Sequence, residues 1–452
     1  MQPYRMAPLA FVLVVGGSIQ WSEEMVSVTD SHQNRVARHL VLCLDGVSYA
    51  TVEKMMSEGH FRRFNKPARL IAPFPTLTNP GFIEILEPLG PPLSRGYEDY
   101  YYDPPSRKMK GGFLARFRRR TFIEGTFREL FDYHPSGLAM TLEYAVPPLS
   151  PWIEARLSLA RAIGKFHASD GPIFIAYISS TDPLAHVGGE RWVRSFLAHV
   201  DRVLDKLIAE SGGHVQVTIV SDHGNHFTKY RRVDLSVALR ADGFQVERRV
   251  TTERSVVHPR YGLVGCAVLY TAEANEPRVA EVVAQVPGVD FAAYKRGDLI
   301  YVVSRQGRAR IERRGDRYRY LVFQGDPLGL QPILDELRAR GRADADGFVA
   351  DADLFAATQA HAYPDPLRRL WEGLTNYVAH PANVIVSLQE GYYEGNDLLD
   401  LLAALRATHG SMRQSQTDGV ILTTMRSLPD VLRARDAGQL LFGDATPGTK
   451  GR

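Results

Sequence analysis

Five short pieces of this chain carry residues that can hold a cation or attack an electrophile. Asp45-Gly46 closes an apolar run at 40–44, and Asp182 with His186 follows another at 172–178. Asp222-His223-Gly224 follows a third run at 215–220, and His409-Gly410 lies far downstream. Pro75-Thr76-Leu77-Thr78 adds two hydroxyls in a loop set by its prolines. Imidazole with carboxylate is the ligand set for borderline divalent metals such as zinc. Three Asp and three His exceed the needs of one tetrahedral ion and suit two ions, each with a position left open. Paired ions clamp the attacking and leaving oxygens of a phosphoryl displacement. Singly, each piece has a plain reading as a helix cap, a surface histidine or a turn. Their recurrence at the ends of apolar runs is what points to a site.

Those runs read as strands. Residues 40–44 are apolar without alternation, the pattern of a strand buried on both faces of a parallel sheet. Helical patterns over 50–57, 151–167 and 191–210 alternate with the runs, and the last has a stripe of Val193, Phe196, Leu197, Val200, Val203, Leu204 and Leu207. This alternation predicts an α/β fold, a doubly wound, mainly parallel sheet flanked by helices, with ligands at the carboxyl ends of its strands. From about 233 the pattern loosens. Antiparallel strands are expected at 299–303, 309–312 and 318–323, with turns at Gly307 and Gly315, then helices over 330–380. A strand at 383–388, a helix at 398–405, a strand at 419–422 and a helix at 429–437 follow. Residues 91–136 are expected to be a long loop with little regular structure. The domain reading is a leader and linker (1–38), a catalytic core in two parts (39–240 and 382–442), a smaller cap-like α+β insertion (241–381) and a tail (443–452).

Composition excludes several classes. The chain has 452 residues, 44% hydrophobic and 23% charged, an ordinary globular mixture. A net charge of +3 is too small to argue for nucleic acid, and the basic runs at 116–120 and 308–314 read as solvated faces. Cys43 and Cys266 sit in apolar runs as buried thiols, too few for a disulfide framework or a Cys-rich zinc site. Arg5, the apolar stretch 7–15 and Gly16-Gly17-Ser18 resemble a short secretory signal, so export to the periplasm or beyond the cell is expected, with a cytoplasmic protein as the alternative. That stretch is too short to span a bilayer, and no other segment reads as an integral membrane span.

Together the pieces resemble the alkaline phosphatase superfamily, most of all its nucleotide pyrophosphatase/phosphodiesterase branch. That branch has an Asp-Gly after the first strand, a Pro-Thr-x-Thr loop, an Asp-x-x-x-His, an Asp-His-Gly and a late His-Gly, all present here between about 39 and 425. The resemblance implies that Asp45, Asp222 and His223 hold one zinc, which also activates Thr78, and that Asp182, His186 and His409 hold the other. It makes Thr78 the nucleophile, and so a metal contact, forming a phosphothreonine that water hydrolyses; Thr76 is its rival. Asn79 is a candidate donor to a phosphoryl oxygen or a cap for the following turn. The implied substrate is a small phosphate ester or nucleotide. One departure matters: the branch's phosphate-binding Asn has no counterpart, which leaves a phosphomonoesterase or phosphonate hydrolase as the alternative. A binding protein that kept the fold without turnover is the third reading. Tyr97, Tyr100, Tyr101, Tyr102, Arg95, Lys108 and Lys110 read as loop decoration or substrate contacts, and His226 as a supporting or solvent-facing residue.

Overall fold

The computed structural model describes residues 37–90, 94–112, 129–137, 143, 146–395 and 405–443. The leader at 1–36, the basic run at 116–120, most of the expected helix at 398–405 and the tail from 444 lie outside the described residues. The first sheet has six strands: β1 (Arg38–Leu44), β2 (Ala68–Ile71), β3 (Ile173–Ile178), β4 (Val215–Ser221), β5 (Asp418–Thr423) and β6 (Val431–Arg433). Their order is β6-β2-β5-β4-β1-β3. β1 runs parallel to β3 and β4, and β2 parallel to β6; β5 alone is reversed, antiparallel to both its neighbours.

The unbroken apolar run of β1 has a direct cause. Leu40, Leu42 and Leu44 pack into the core on one face, with Val217 and Ile219. Val41 and Cys43 pack on the other, with Tyr177 and Val220. A strand covered on both faces has no position for a polar residue until it ends, and it ends at Asp45. Ser48 caps the next helix, α1 (Tyr49–Ser57), by accepting from the Thr51 N–H. Helices α2 (Thr78–Leu86), α3 (Thr181–Gly188) and α4 (Glu190–Glu210) complete the frame of the site, and α4 buries the stripe read from its sequence except Val203, which is half-buried at its edge.

One buried histidine lies in this sheet. His39 Nε2 is 2.9 Å from Thr218 Oγ1, whose hydroxyl continues to Thr423. Burial pushes His39 down from 6.5 to about 4. The unfolded chain therefore takes up the proton first, and stability is lost as pH falls through 6.5 towards 4, by up to about 3 kcal/mol. Urea titrations over that range should show a steeper loss for the native protein than for His39→Gln; parallel curves would remove His39 as the cause.

A second sheet of nine strands spans Gln245–Glu247 to Val384–Leu388. Leu299–Val303, Arg308–Arg314 and Arg317–Gln324 form the expected antiparallel meander. Val384–Leu388 pairs with Cys266–Thr271 and Val289–Arg296 inside this second sheet. Two expectations change. The segment 429–437 is not one helix: β6 pairs with β2 and a helix begins at Ala434, because an edge-strand partner decides the fate of so short a stretch. The segment 91–136 contains a hairpin, Tyr100–Asp103 with Lys108–Gly111. Tyr97, Tyr101 and Tyr102 are buried, while Tyr100 is half-buried; Tyr97 donates to the Gly373 carbonyl at 2.7 Å, and Tyr102 accepts from the Val250 N–H at 3.3 Å. Among the described residues, no helix is long and apolar enough to cross a membrane.

Candidate metal centre and its hydroxyl

The six ligand candidates converge at the carboxyl end of the first sheet. Ligand atoms of Asp45, Asp222 and His223 lie within 4.8 Å of one another, and so do those of Asp182, His186 and His409. β1 delivers Asp45 one residue past its end, and β4 delivers Asp222 and His223. Asp182 and His186 stand one turn apart on α3, hence on one face. His409 follows a short strand, Ala407–Thr408, paired with His226–Phe227. The rings of His223 and His409 stack at 3.9 Å between centroids, so the two groups are neighbours.

Each imidazole is oriented by a backbone carbonyl. Nδ1 of His186 contacts the Ala407 carbonyl at 2.8 Å, that of His223 the Gly224 carbonyl at 2.9 Å, and that of His409 the Thr76 carbonyl at 2.8 Å. A carbonyl only accepts, so Nδ1 carries the proton in all three rings and Nε2 is left as the ligand atom. Those Nε2 atoms face carboxylates: 3.0 Å from His186 to Asp182, 3.6 Å from His409 to Asp182, and 3.5 Å and 3.3 Å from His223 to Asp45 and Asp222.

The donor set fits divalent cations on two further grounds. His223 Nε2 and Asp222 Oδ2 are buried without a hydrogen-bond partner, which is costly unless a cation meets them. The electrostatics agree. Burial, then the charge of Asp222 and that of Asp182, push the Asp45 carboxyl well above the usual carboxylate range. Burial does the same to Asp222 and drives His223 well below the usual imidazole range. At Asp182 burial opposes ionisation, but His186 and His409 outweigh it and hold that carboxyl well down. Crowded buried carboxylates of this kind call for positive charge among them.

Thr78, the first residue of α2, points its hydroxyl at this group, 3.4 Å from Asp45 Oδ1. The positive end of the α2 dipole lies at the same place. Thr76 is fully buried and turned away: its hydroxyl donates to the Pro73 and Ser411 carbonyls and accepts from Arg369. Asn79 Nδ2 contacts Ser94 Oγ and the Gly96 carbonyl, each at 3.2 Å, so its amide fastens the 94–96 loop to the start of α2. His226 lies away from the ligands, with Nδ1 3.2 Å from the Tyr230 hydroxyl. Two glycines allow this crowding. Gly46, at φ +64°, turns the chain after Asp45, and a Cβ there would meet Asp182 at 2.7 Å. At Gly81 a Cβ would come within 2.7 Å of the Asp222 Cβ.

Three supporting residues were not anticipated. Asn225 Nδ2 donates at 2.8 Å both to Asp182 Oδ1 and to the Gly46 carbonyl, and so links the two groups. Its only signal is its place two residues past His223. The Tyr177 hydroxyl donates to Asp45 Oδ2 at 2.5 Å from inside β3, where an aromatic residue reads as core. Arg369, fully desolvated, ties the 73–78 loop to the 411–417 segment through the Pro73 and Met412 carbonyls and the Thr76 and Thr417 hydroxyls.

The architecture is the alkaline-phosphatase-like fold. Phosphonoacetate hydrolase from Sinorhizobium meliloti 1021, solved with phosphonoacetate, is similar over 89% of this chain and 94% of its own, at TM-score 0.52 and 13% identity. Its complex with phosphonoformate gives TM-score 0.51 and 14% identity over the same shares. Human ectonucleotide pyrophosphatase/phosphodiesterase 5 gives TM-score 0.48 and 13% identity, over 89% of this chain and 93% of that one. No protein-family model and no curated protein sequence matches the chain.

Proposed function

We propose that this protein hydrolyses phosphoric esters, phosphodiester or nucleotide pyrophosphate bonds foremost, through a phosphothreonine on Thr78. The supporting observation is one arrangement: a buried threonine hydroxyl at a helix start, 3.4 Å from Asp45, beside two adjoining Asp/His triads. Two divalent cations, zinc by the chemistry of the donors, would be held by Asp45, Asp222 and His223 and by Asp182, His186 and His409, and when bound supply charge that acidifies the Thr78 hydroxyl and offsets that of the phosphoryl oxygens.

The chain's own residues do the rest. Asp45 accepts the Thr78 hydroxyl hydrogen bond and fixes its direction. The Thr78 oxygen forms a bond to phosphorus as the ester oxygen leaves, and water then cleaves the phosphothreonine. The carbonyls of Thr76, Ala407 and Gly224 keep the three imidazoles in register throughout. Asn225 positions Asp182 against the Asp45-Gly46 turn. Asn225→Ala should weaken metal retention by about 10–100-fold in a chelator competition, the usual cost of losing a partner that orients a ligand. An unchanged competition midpoint would leave Asn225 no such role.

The test of the reaction class compares rates on a nitrophenyl phosphate monoester, its bis-ester and a simple phosphonate, with metal content measured on the same protein. A preference for the bis-ester is expected. Preference for the monoester or phosphonate would move the protein to the alternative hydrolase class, and no metal-dependent turnover on any of them would defeat the reading.

A further inference from the structure

The two carboxylates of the triad beside Thr78 do not turn both oxygens to the site. Asp45 Oδ1 faces it, 3.4 Å from the Thr78 hydroxyl and 3.5 Å from His223 Nε2. Asp45 Oδ2 is taken by the Tyr177 hydroxyl, which donates to it at 2.5 Å. Asp222 is divided in the same way. Its Oδ1 accepts from the Gly46 N–H at 3.1 Å, while its Oδ2 is buried without a hydrogen-bond partner, 3.3 Å from His223 Nε2. One oxygen of each carboxylate is thus fastened by a donor of the chain, and the other faces the same imidazole nitrogen. With that nitrogen the triad presents three donor atoms, the number that leaves a four-coordinate ion one open position.

Packing holds Tyr177 to this task. It lies near the carboxyl end of β3, in register with Cys43 of β1, and is buried. Its ring stacks on Phe131 at 5.1 Å between centroids and 23° between planes, and meets Phe82 edge-on at 5.1 Å and 76°. Phe82 stands one turn past Thr78 on α2. One side chain therefore braces the helix that begins with Thr78 and fixes the carboxylate next to that hydroxyl. The ring is wedged between two aromatic neighbours, so the direction of its O–H is set by the fold.

We propose that Tyr177 is a positioning residue that selects the cation beside Thr78, by keeping the second oxygen of Asp45 away from it. Without the Tyr177 hydroxyl, Asp45 Oδ2 is a buried anionic atom with no partner, and a cation held by Oδ1 is the group that can satisfy it. Asp45 then gives both oxygens. A seat with more oxygen donors suits harder ions of higher coordination number, such as manganese, at the expense of zinc. The proposal rests on the two-cation part of the ester-hydrolase reading and deepens it: a hydrogen bond, besides the identity of the ligands, sets the preference for zinc.

The test strips the native protein and Tyr177→Phe of metal, dialyses each against equal zinc and manganese, and counts the bound ions by elemental analysis. Tyr177→Phe keeps the ring and its packing on Phe82 and Phe131, and a melt of the metal-free protein checks that it folds. The native protein should retain about two zinc ions per chain. In the variant the preference for zinc over manganese should fall about tenfold or more at one of the two seats and stay unchanged at the other. With cobalt in place of zinc, the visible absorption of that one seat should weaken as its coordination number rises. Phe131→Leu loosens the same packing but leaves the hydroxyl, and should keep the native preference and spectrum. An unchanged preference and spectrum in Tyr177→Phe overturns the proposal, and so does an equal shift in Phe131→Leu. A native protein that binds no divalent cation removes the proposal together with the two-cation reading. The expected shift in a protein that turns over no ester leaves Tyr177 its role and removes the hydrolase reading alone.

Discussion

Thr78→Ala is expected to lower turnover of a phosphoric ester by about 10³-fold or more while the metal content stays unchanged, because it removes the proposed nucleophile and leaves the six Asp and His ligand candidates in place. The fold makes the contrast with Thr76 sharp. Thr76 belongs to the packing of the loop, with hydrogen bonds to Pro73, Ser411 and Arg369. Thr76→Ala should therefore cost about 1–3 kcal/mol of stability, the range for an unsatisfied buried partner, and keep most of the turnover. Acid quenching of the native protein during turnover should trap phosphate on the peptide that contains Thr78. A Thr78→Ala variant within tenfold of native turnover, or phosphate trapped elsewhere, would end the assignment of the nucleophile.

Removal of divalent cations should have the largest effect on the folded state. Asp45, Asp222 and Asp182 crowd together around His223 and His409 with little water to screen them. A ligand that binds only the folded chain stabilises it by about 4 kcal/mol at a thousandfold excess over its Kd. Two such ions should raise the melting temperature by on the order of 10 °C over chelator-treated protein. The measurement pairs thermal melts with elemental analysis, expecting about two zinc-like ions per chain. Equal melting temperatures with and without chelator, and no stoichiometric metal, would leave the triads as a hydrogen-bonded cluster.

Much of this centre was readable because its polar residues interrupt apolar runs. Asp45 and Asp222 are the first residues past β1 and β4, strands that the core covers on both faces. His409 had no such mark and was tied to the others by the family pattern, as was the division into two triads; the structure groups the same residues by distance. Asn225, Tyr177 and Arg369 were not readable, for a common reason. Their partners are Asp182, Asp45 and the Thr76 loop, each remote in the chain, and no local pattern records a long-range hydrogen bond. The edge strand Val431–Arg433 was hidden in the same way, its one strand partner among the described residues being the distant β2.

The placement of β5 has a consequence for how the chain matures. β2, which leads into the Thr78 loop, pairs among the described residues with β5 and β6, and both are made after the other strands of this sheet. During synthesis β1, β3 and β4 can dock early, but β2 must wait for β5 and β6. His409 is made just before β5, and its ring donates to the Thr76 carbonyl. Until those strands are made, the loop that carries Thr78 lacks its sheet partners and His409 is missing from its group, so the proposed site forms only after most of this sheet exists.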